Sequence, residues 1–317
     1  MPCEPVSTLP KGGSCVTDVA FLSPTRLATY ATCQRQFYYD YERDVDAPDR
    51  TELYLNQGSA YHETIEDVCE ATDRDDEPAE IYRRALDAFE TRWNEHVDSD
   101  EYASRAHQAY QRAENRAAIE ALFDPDGGEG IAHARQSIAT EEWVRSVHDG
   151  IGLWGKVDNV LRTEEGLHCI DYKRNLRGVL SANTAEQLVD HLDALEHAGQ
   201  KLKNAFQTAT YVEGVKASEY YEAGMDVRFS FYGLLNQTDH TRTSDGYEIS
   251  VRGYPRETTE IYEEYYDPIW KLIRNSHEGI TGEMFEPAPF ELIEEEACPD
   301  CRFSEMCPDR LATEVRR

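Results

Sequence analysis

The chain has 317 residues, 40% hydrophobic and 30% charged, enough to bury a core without disulfide staples. Its net charge is −30, from 62 acidic against 32 basic residues. That balance favours solubility, is typical of salt-loving microbes and argues mildly against a nucleic-acid partner. No apolar run approaches the roughly 20 residues of a membrane span and no secretory signal is evident, so the sequence reads as cytoplasmic, with no membrane partner.

Residues 1–22 hold prolines and glycines with little periodicity and predict an irregular leader. Ser23 as N-cap and Pro24 in the first turn open a helix, continued by an aromatic-rich segment from Thr25 to Tyr41. Residues 58–72, 78–97 and 101–123 read as helices from their apolar spacing, and Asp124 to Gly128 as a turn. Residues 136–147, 151–162 and 167–173 read as consecutive strands separated by glycine-containing turns, a meander of hairpins. A helix follows from Thr184 to Val215, then strands at 226–236 and 246–253, a helix at 256–278, and a loop around a cysteine cluster. This order predicts a mixed α/β core with a helical region built before it. It also predicts a single domain over 23–310, with the helical region at 58–123, the α/β core at 136–253 and the cysteine tail at 298–307.

On the third strand, Asp171 and Lys173 stand at i and i+2 and share a face, with Tyr172 on the other. The second strand carries Gly155-Lys156-Val157-Asp158, and hairpin pairing brings Asp158 towards Asp171. Two carboxylates and an ammonium group suit phosphodiester hydrolysis. Mg²⁺ takes one or two carboxylates plus waters and phosphate oxygens, polarises the phosphoryl group and lowers the pKa of bound water. A lysine orients that water and offsets transition-state charge. An Asp-x-Lys triplet alone is more often a solvated strand face, and a lone helical histidine such as His62 is more often structural. A local basic track is nevertheless available from Lys156, Lys173, Arg174, Arg177, Lys201 and Lys203.

Gly58-x-x-x-His62, Gly155-x-x-Asp158, Asp171-x-Lys173 and Gln207-x-x-x-Tyr211, in this order, resemble the RecB-like branch of the PD-(D/E)XK nucleases. The resemblance implies a restriction-endonuclease-like mixed sheet flanked by helices. Its implied catalytic residues are Asp158, Asp171 and Lys173, and its implied ligands to Mg²⁺ or Mn²⁺ are His62, Asp158, Asp171 and the Tyr172 carbonyl. Gln207 and Tyr211, one helical turn apart, would lie beside the site and touch DNA or position the lysine. Arg174, Arg177, Lys201 and Lys203 would meet phosphates.

Eight cysteines are present, and a disulfide scaffold is not expected in a cytosolic chain. The tail spells Cys298-x-x-Cys301-x5-Cys307, close enough to share a metal centre. Spacing does not choose the fourth ligand among Cys3, Cys15, Cys33 and Cys69, and four thiolates suit zinc as well as iron–sulfur. The tail spacing, with a cysteine ahead of a basic-aromatic stretch on the first helix, resembles the iron–sulfur subgroup of the same nucleases. That resemblance implies a [4Fe–4S] cluster on Cys33, Cys298, Cys301 and Cys307, although Gln34 stands where the family motif often has proline. Cys69 and Cys169 read as buried small apolar residues; Cys3 and Cys15 have no assigned role. The expectation is a metal-dependent DNA exonuclease acting on single strands or free ends, in repair beside a helicase or in CRISPR spacer processing beside acquisition proteins. The alternatives are a catalytically silent DNA-binding protein of the same fold and a zinc-stabilised protein unrelated to nucleic acid. No Gly-x-x-x-x-Gly-Lys-Ser/Thr loop is present, so helicase activity is not expected.

Overall fold

The computed structural model describes residues 19–46, 53–243, 246–299 and 301–316. Most of the expected leader lies outside these residues, as do Cys3 and Cys15. The leader's last residues are not irregular: Phe21–Leu22 form a short strand, β1, that pairs in parallel with Gly152 and Leu153. Helix α1 (Pro24–Thr32) is capped as its sequence predicts, the Arg26 N–H donating to the Ser23 hydroxyl. The helix expected to continue to Tyr41 breaks at Cys33, which is extended, and resumes as α2 (Gln34–Phe37) and a π-helical turn over Tyr38–Glu42.

The helical region comprises α3 (Leu53–Glu70), α4 (Pro78–His96), α5 (Arg105–Leu122) and α6 (Glu129–Gln136). Helix α3 starts ahead of the expected residue 58, so His62 sits in its third turn. Helix α6 fills the stretch between the expected turn at Asp124 to Gly128 and the first of the meander strands, for which the sequence predicts no element. Strands β2 (Ser137–His148), β3 (Ile151–Arg162) and β4 (Gly166–Lys173) follow as the expected meander, both pairings antiparallel. The single helix expected over 184–215 is two, α7 (Ala182–Leu192) and α8 (Gly199–Lys216). They are separated by a turn in which the Ala198 N–H donates to His191 Nδ1. Strand β5 (Asp226–Thr243) then pairs parallel with β4, and β6 (Gly246–Glu257) antiparallel with β5. The C-terminal helix divides into α9 (Thr259–Glu264) and α10 (Tyr266–Thr281), and the cysteine tail is framed by α11 (Phe290–Ala297) and α12 (Pro308–Arg316).

Among the described residues, six strands make one mixed sheet in the order β1-β3-β4-β5-β6, with β2 on the free side of β3. Each sheet face carries its own apolar core. On one face Leu153, Val157, Cys169, Phe229 and Phe231 meet Leu202, Phe206, Ala209 and Val212 of α8 and Trp270 of α10. On the other, Leu161, Ile170, Tyr172 and Leu234 meet Ile65 and Val68 of α3, Phe89 and Trp93 of α4 and Ile119 of α5. Each such side chain contributes about 1.5–3 kcal/mol when fully buried. Cys69 and Cys169 fall in these cores as expected. The sheet is thus gripped on both faces, which fixes the strand ends that carry the polar residues.

Candidate active site

The β3–β4 ladder runs from Arg162↔Leu167 to Asn159↔Ile170 and stops. One residue further on, Asp158 and Asp171 would stand directly opposite each other. Instead the strands part, and the Asp158 side chain takes over the ladder's role, its Oδ2 accepting the Tyr172 N–H at 2.7 Å. Parting the strands opens room between two carboxylates without stranding that amide in the interior. His62 reaches in from α3, its Nδ1 3.2 Å from the same Asp158 oxygen. Lys173 Nζ lies 2.6 Å from Asp171 Oδ2, so the i, i+2 pairing expected on β4 is present. Tyr172 points to the opposite face, its hydroxyl 3.0 Å from His133 Nδ1.

The remaining motif joins from α8. Gln207 Nε2 lies 3.5 Å from Asp171 Oδ1 and 3.3 Å from the Tyr211 hydroxyl. Gly155 has a packing reason: a Cβ there would stand 2.7 Å from Tyr211 Cε1. The glycine of one short motif therefore makes room for the tyrosine of another. Gln207 Oε1 is buried and has no protein partner, the kind of orphan acceptor that a bound ligand or water normally satisfies.

The electrostatics pull like groups apart. Burial disfavours the charged form of both aspartates. At Asp158 the charge and hydrogen bond of His62, with Lys173 and the Tyr172 amide, outweigh burial and hold the carboxyl below its ordinary range. At Asp171 burial wins, helped by the charge on Asp158 and opposed by Lys173, and its pKa rises to about 6. Burial would lower His62, but Asp158 beside it reverses the direction and raises it. Paired acids with split titration are a hallmark of sites that handle protons or cations.

A further carboxylate joins this group. Glu141 lies on β2 between Thr140 and Glu142, which pair with Asn159 and Val157, so it faces Asp158. Its backbone sits at φ 50, a left-handed conformation that a residue with a Cβ adopts at a cost. Ligand atoms of His62, Glu141 and Asp158 all lie within 4.8 Å of one another. One imidazole and two carboxylates are a donor set that fits Mg²⁺ or Mn²⁺. Glu141 was missed in the sequence because it is one of 62 acids and its only distinguishing feature is a backbone angle. The group opens into a cleft of about 570 Å³ also lined by Lys156, Lys173 and Lys203. Lys156 is ion-paired with Glu141. Crowding of the Lys203 ammonium group lowers its pKa, Lys173 adds to the effect and Asp171 opposes it.

The other basic residues are placed differently. Arg174 was expected to meet phosphate, but its guanidinium is already engaged: it donates to Gln57 Oε1 at 3.0 Å and to buried Glu114 at 2.8 Å, and lies over the Tyr54 ring. It ties β4 to α3 and α5. Arg177 is exposed on the β4–α7 connection, and Lys201 lies half-buried in the first turn of α8.

The cysteines collect at the opposite end of α1. Cys33 lies between α1 and α2, Cys298 at the end of α11, and Cys301 and Cys307 in the turn before α12. Burial raises the Cys33 thiol, the Gln36 and Arg35 backbone N–H groups draw it back, and Cys301 and Cys307 add to the rise, which ends at about 11. Burial raises Cys298 too, with the same two neighbours adding to it. None of the four is joined in a disulfide. Arg35–Asp309 at 2.9 Å, Arg35–Glu286 at 2.8 Å, Arg302–Asp40 and the Tyr39–Phe303 ring contact hold the two chain segments together around them. A sulfur-only donor set gathered this way fits an iron–sulfur cluster, and zinc equally.

A profile of the PD-(D/E)XK nuclease superfamily matches residues 21–308. No curated protein matches the chain. A crystal structure of a candidate exonuclease from Eubacterium rectale aligns with 14% sequence identity and a TM-score of 0.47, over 90% of this chain and 89% of that one.

Proposed function

The chain belongs to the PD-(D/E)XK nuclease superfamily, and from that premise we propose that it is a divalent-metal-dependent DNA exonuclease of the RecB-like branch, acting on free and single-stranded ends. The observation that carries this reading is the convergence of His62, Glu141 and Asp158 ligand atoms within 4.8 Å, beside Asp171 and Lys173, in one open cleft. His62, Glu141, Asp158, Asp171 and the Tyr172 carbonyl would hold Mg²⁺ or Mn²⁺. The cation, when bound, supplies Lewis-acid polarisation of the phosphoryl oxygen and a more acidic water.

The chain's own residues do the rest. Lys173, held by Asp171, orients the attacking water and offsets the charge that builds on the phosphate. Gln207 steadies Asp171 from α8. Lys203 provides a second positive charge on the same side of the cleft. Arg174 keeps β4 anchored to the helical region rather than binding substrate. Cys33, Cys298, Cys301 and Cys307 would hold a [4Fe–4S] cluster that ties the first helices to the tail, within a single domain over 23–310. Ends of this kind arise in recombinational repair, beside a helicase, and in CRISPR spacer processing, beside acquisition proteins; the motif resemblance supports both settings.

The test is cleavage of end-labelled single- and double-stranded DNA by anaerobically purified protein in high potassium chloride, with Mg²⁺, Mn²⁺ or EDTA. The expected result is metal-dependent release of nucleotides from ends, absent in Lys173→Ala. Cleavage that persists in that variant would remove the site assignment.

A further inference from the structure

Beyond the cleft, β2 and β3 leave one face of their hairpin open. Burial alternates along both strands. Val144 and Ser146, and Leu153, Gly155 and Val157, are buried, whereas Trp143, Arg145 and Val147 are exposed and Trp154 and Lys156 half-exposed. The register sets Trp143 opposite Lys156 and Arg145 opposite Trp154. The two indoles sit on the diagonal and stack, with centroids 4.9 Å apart and planes 18° from parallel. Trp143 is nevertheless 56% exposed. Lys156 Nζ lies 5.8 Å from the Trp143 ring, and the Arg145 guanidinium 5.8 Å from the ring of Phe21 on β1.

The result is a strip of alternating aromatic and basic groups, Phe21, Arg145, Trp154, Trp143 and Lys156, that ends at Glu141 and Asp158. Trp143 is two residues along the pairing from Asp158, roughly 7 Å at about 3.3 Å per residue. A large indole left in water forgoes burial that most tryptophans achieve, and a stacked pair on an exposed face marks a binding surface. The chemistry selects the occupant. In a chain with 62 acidic and 32 basic residues, this strip presents the Arg145 cation, the Lys156 ammonium group shared with Glu141, and a flat π-face that leads into the cleft. Unpaired bases stack on such faces while the flanking cations take the phosphates. A paired duplex hides its base faces and has no use for them.

We propose that the Trp143–Trp154 stack, with Arg145 and Lys156, seats an unpaired nucleic-acid strand and feeds its end to the cleft. A base would lie on the free face of Trp143. The proposal deepens the nuclease reading and rests on it for the direction of threading, but binding to the strip can be measured without catalysis.

The experiment titrates the full-length protein, in EDTA at fixed potassium chloride, with oligo-dT, with an abasic oligonucleotide of equal length and with a duplex. Tryptophan quenching and fluorescence anisotropy are both read. The expected result is quenching by oligo-dT but not by the abasic strand. Trp143→Ala should weaken oligo-dT about 10-fold, the lower part of the range for loss of one base stack, with Trp143→Phe intermediate and duplex affinity unchanged. Arg145→Gln should reduce the salt dependence of binding. Equal oligo-dT affinity for wild type and Trp143→Ala, with both shown folded by circular dichroism, would overturn the proposal, as would equal quenching by the abasic strand. If oligo-dT binding depends on Trp143 but no metal supports cleavage, the strip stands and the nuclease reading of the cleft falls.

Discussion

The cleft and the cysteine corner each gather side chains from far apart in the sequence, yet they handle charge in opposite ways. In the cleft, His62, Asp158, Asp171 and Lys173 mix signs within hydrogen-bond range, so most of the charge is offset before any cation arrives. Only Asp171 is left with its ionisation opposed, up to about pH 6. At the corner the groups are alike. Burial raises the Cys33 thiol and its sulfur neighbours push in the same direction, to about 11 in all. On the proposed reading the cleft would fold first and then bind its cation, whereas occupancy of the corner would be part of folding.

The sharpest way to break this comparison is to neutralise one group in each region. Asp171→Asn should lower the cleavage rate on the order of 10³-fold without lowering the thermal midpoint, since it removes a carboxylate that burial disfavours. A large fall in the midpoint would show that the cleft is structural after all. Cys301→Ser should do the reverse: iron content falls, and stability drops by several kcal/mol, each shifting the midpoint by about 2–4 °C. Retained iron with an unchanged midpoint would remove the distinction.

Two smaller effects sharpen it. Glu114→Gln strips the charge partner from Arg174 and should cost about 1–3 kcal/mol in urea denaturation, with a lesser effect on cleavage, because this tie holds β4 in place without touching the scissile phosphate. Mn²⁺ affinity, followed by electron paramagnetic resonance, should climb up to about tenfold per pH unit as pH rises through about 6, where Asp171 gives up its proton. The stability of the metal-free protein has the opposite slope. An unfolded carboxyl releases its proton near 3.8 and the folded one near 6, so the native state binds more protons between these values and stability falls as pH rises across that window. Asp171→Asn should flatten both curves.

Much of this was legible in the sequence because the physics involved is local. Alternation along 151–162 fixed β3 to its last residue, and Asp171-x-Lys173 had to share a strand face. The break of the first helix at Cys33 was not legible, because it depends on what the tail brings to that point. Helix α6 was missed because it begins right after the turn that ends at Gly128 and carries a second glycine, Gly130, in its first turn. In the fold both glycines clear close approaches to Leu122, where a Cβ on either would meet the Leu122 carbonyl oxygen within 3 Å. Arg174 looked like a phosphate ligand because its partner Glu114 is 60 residues away. The extension of β5 and β6 past the core was hidden by polar residues such as Gln237, Thr238 and Asp239, which pair with β6 out in solvent.

Glu141 carries a consequence for anyone engineering the protein. A left-handed residue with a Cβ costs about 1–2 kcal/mol, and glycine would relieve it. A directed-evolution screen scored on heat resistance alone should therefore drift to glycine at 141 and to an uncharged residue at 171. Each step would look like an improvement by its own criterion while dismantling the proposed cation site from two sides. Screens on this scaffold need a cleavage readout in every round, because the positions that heat resistance would change are the ones the proposed chemistry uses.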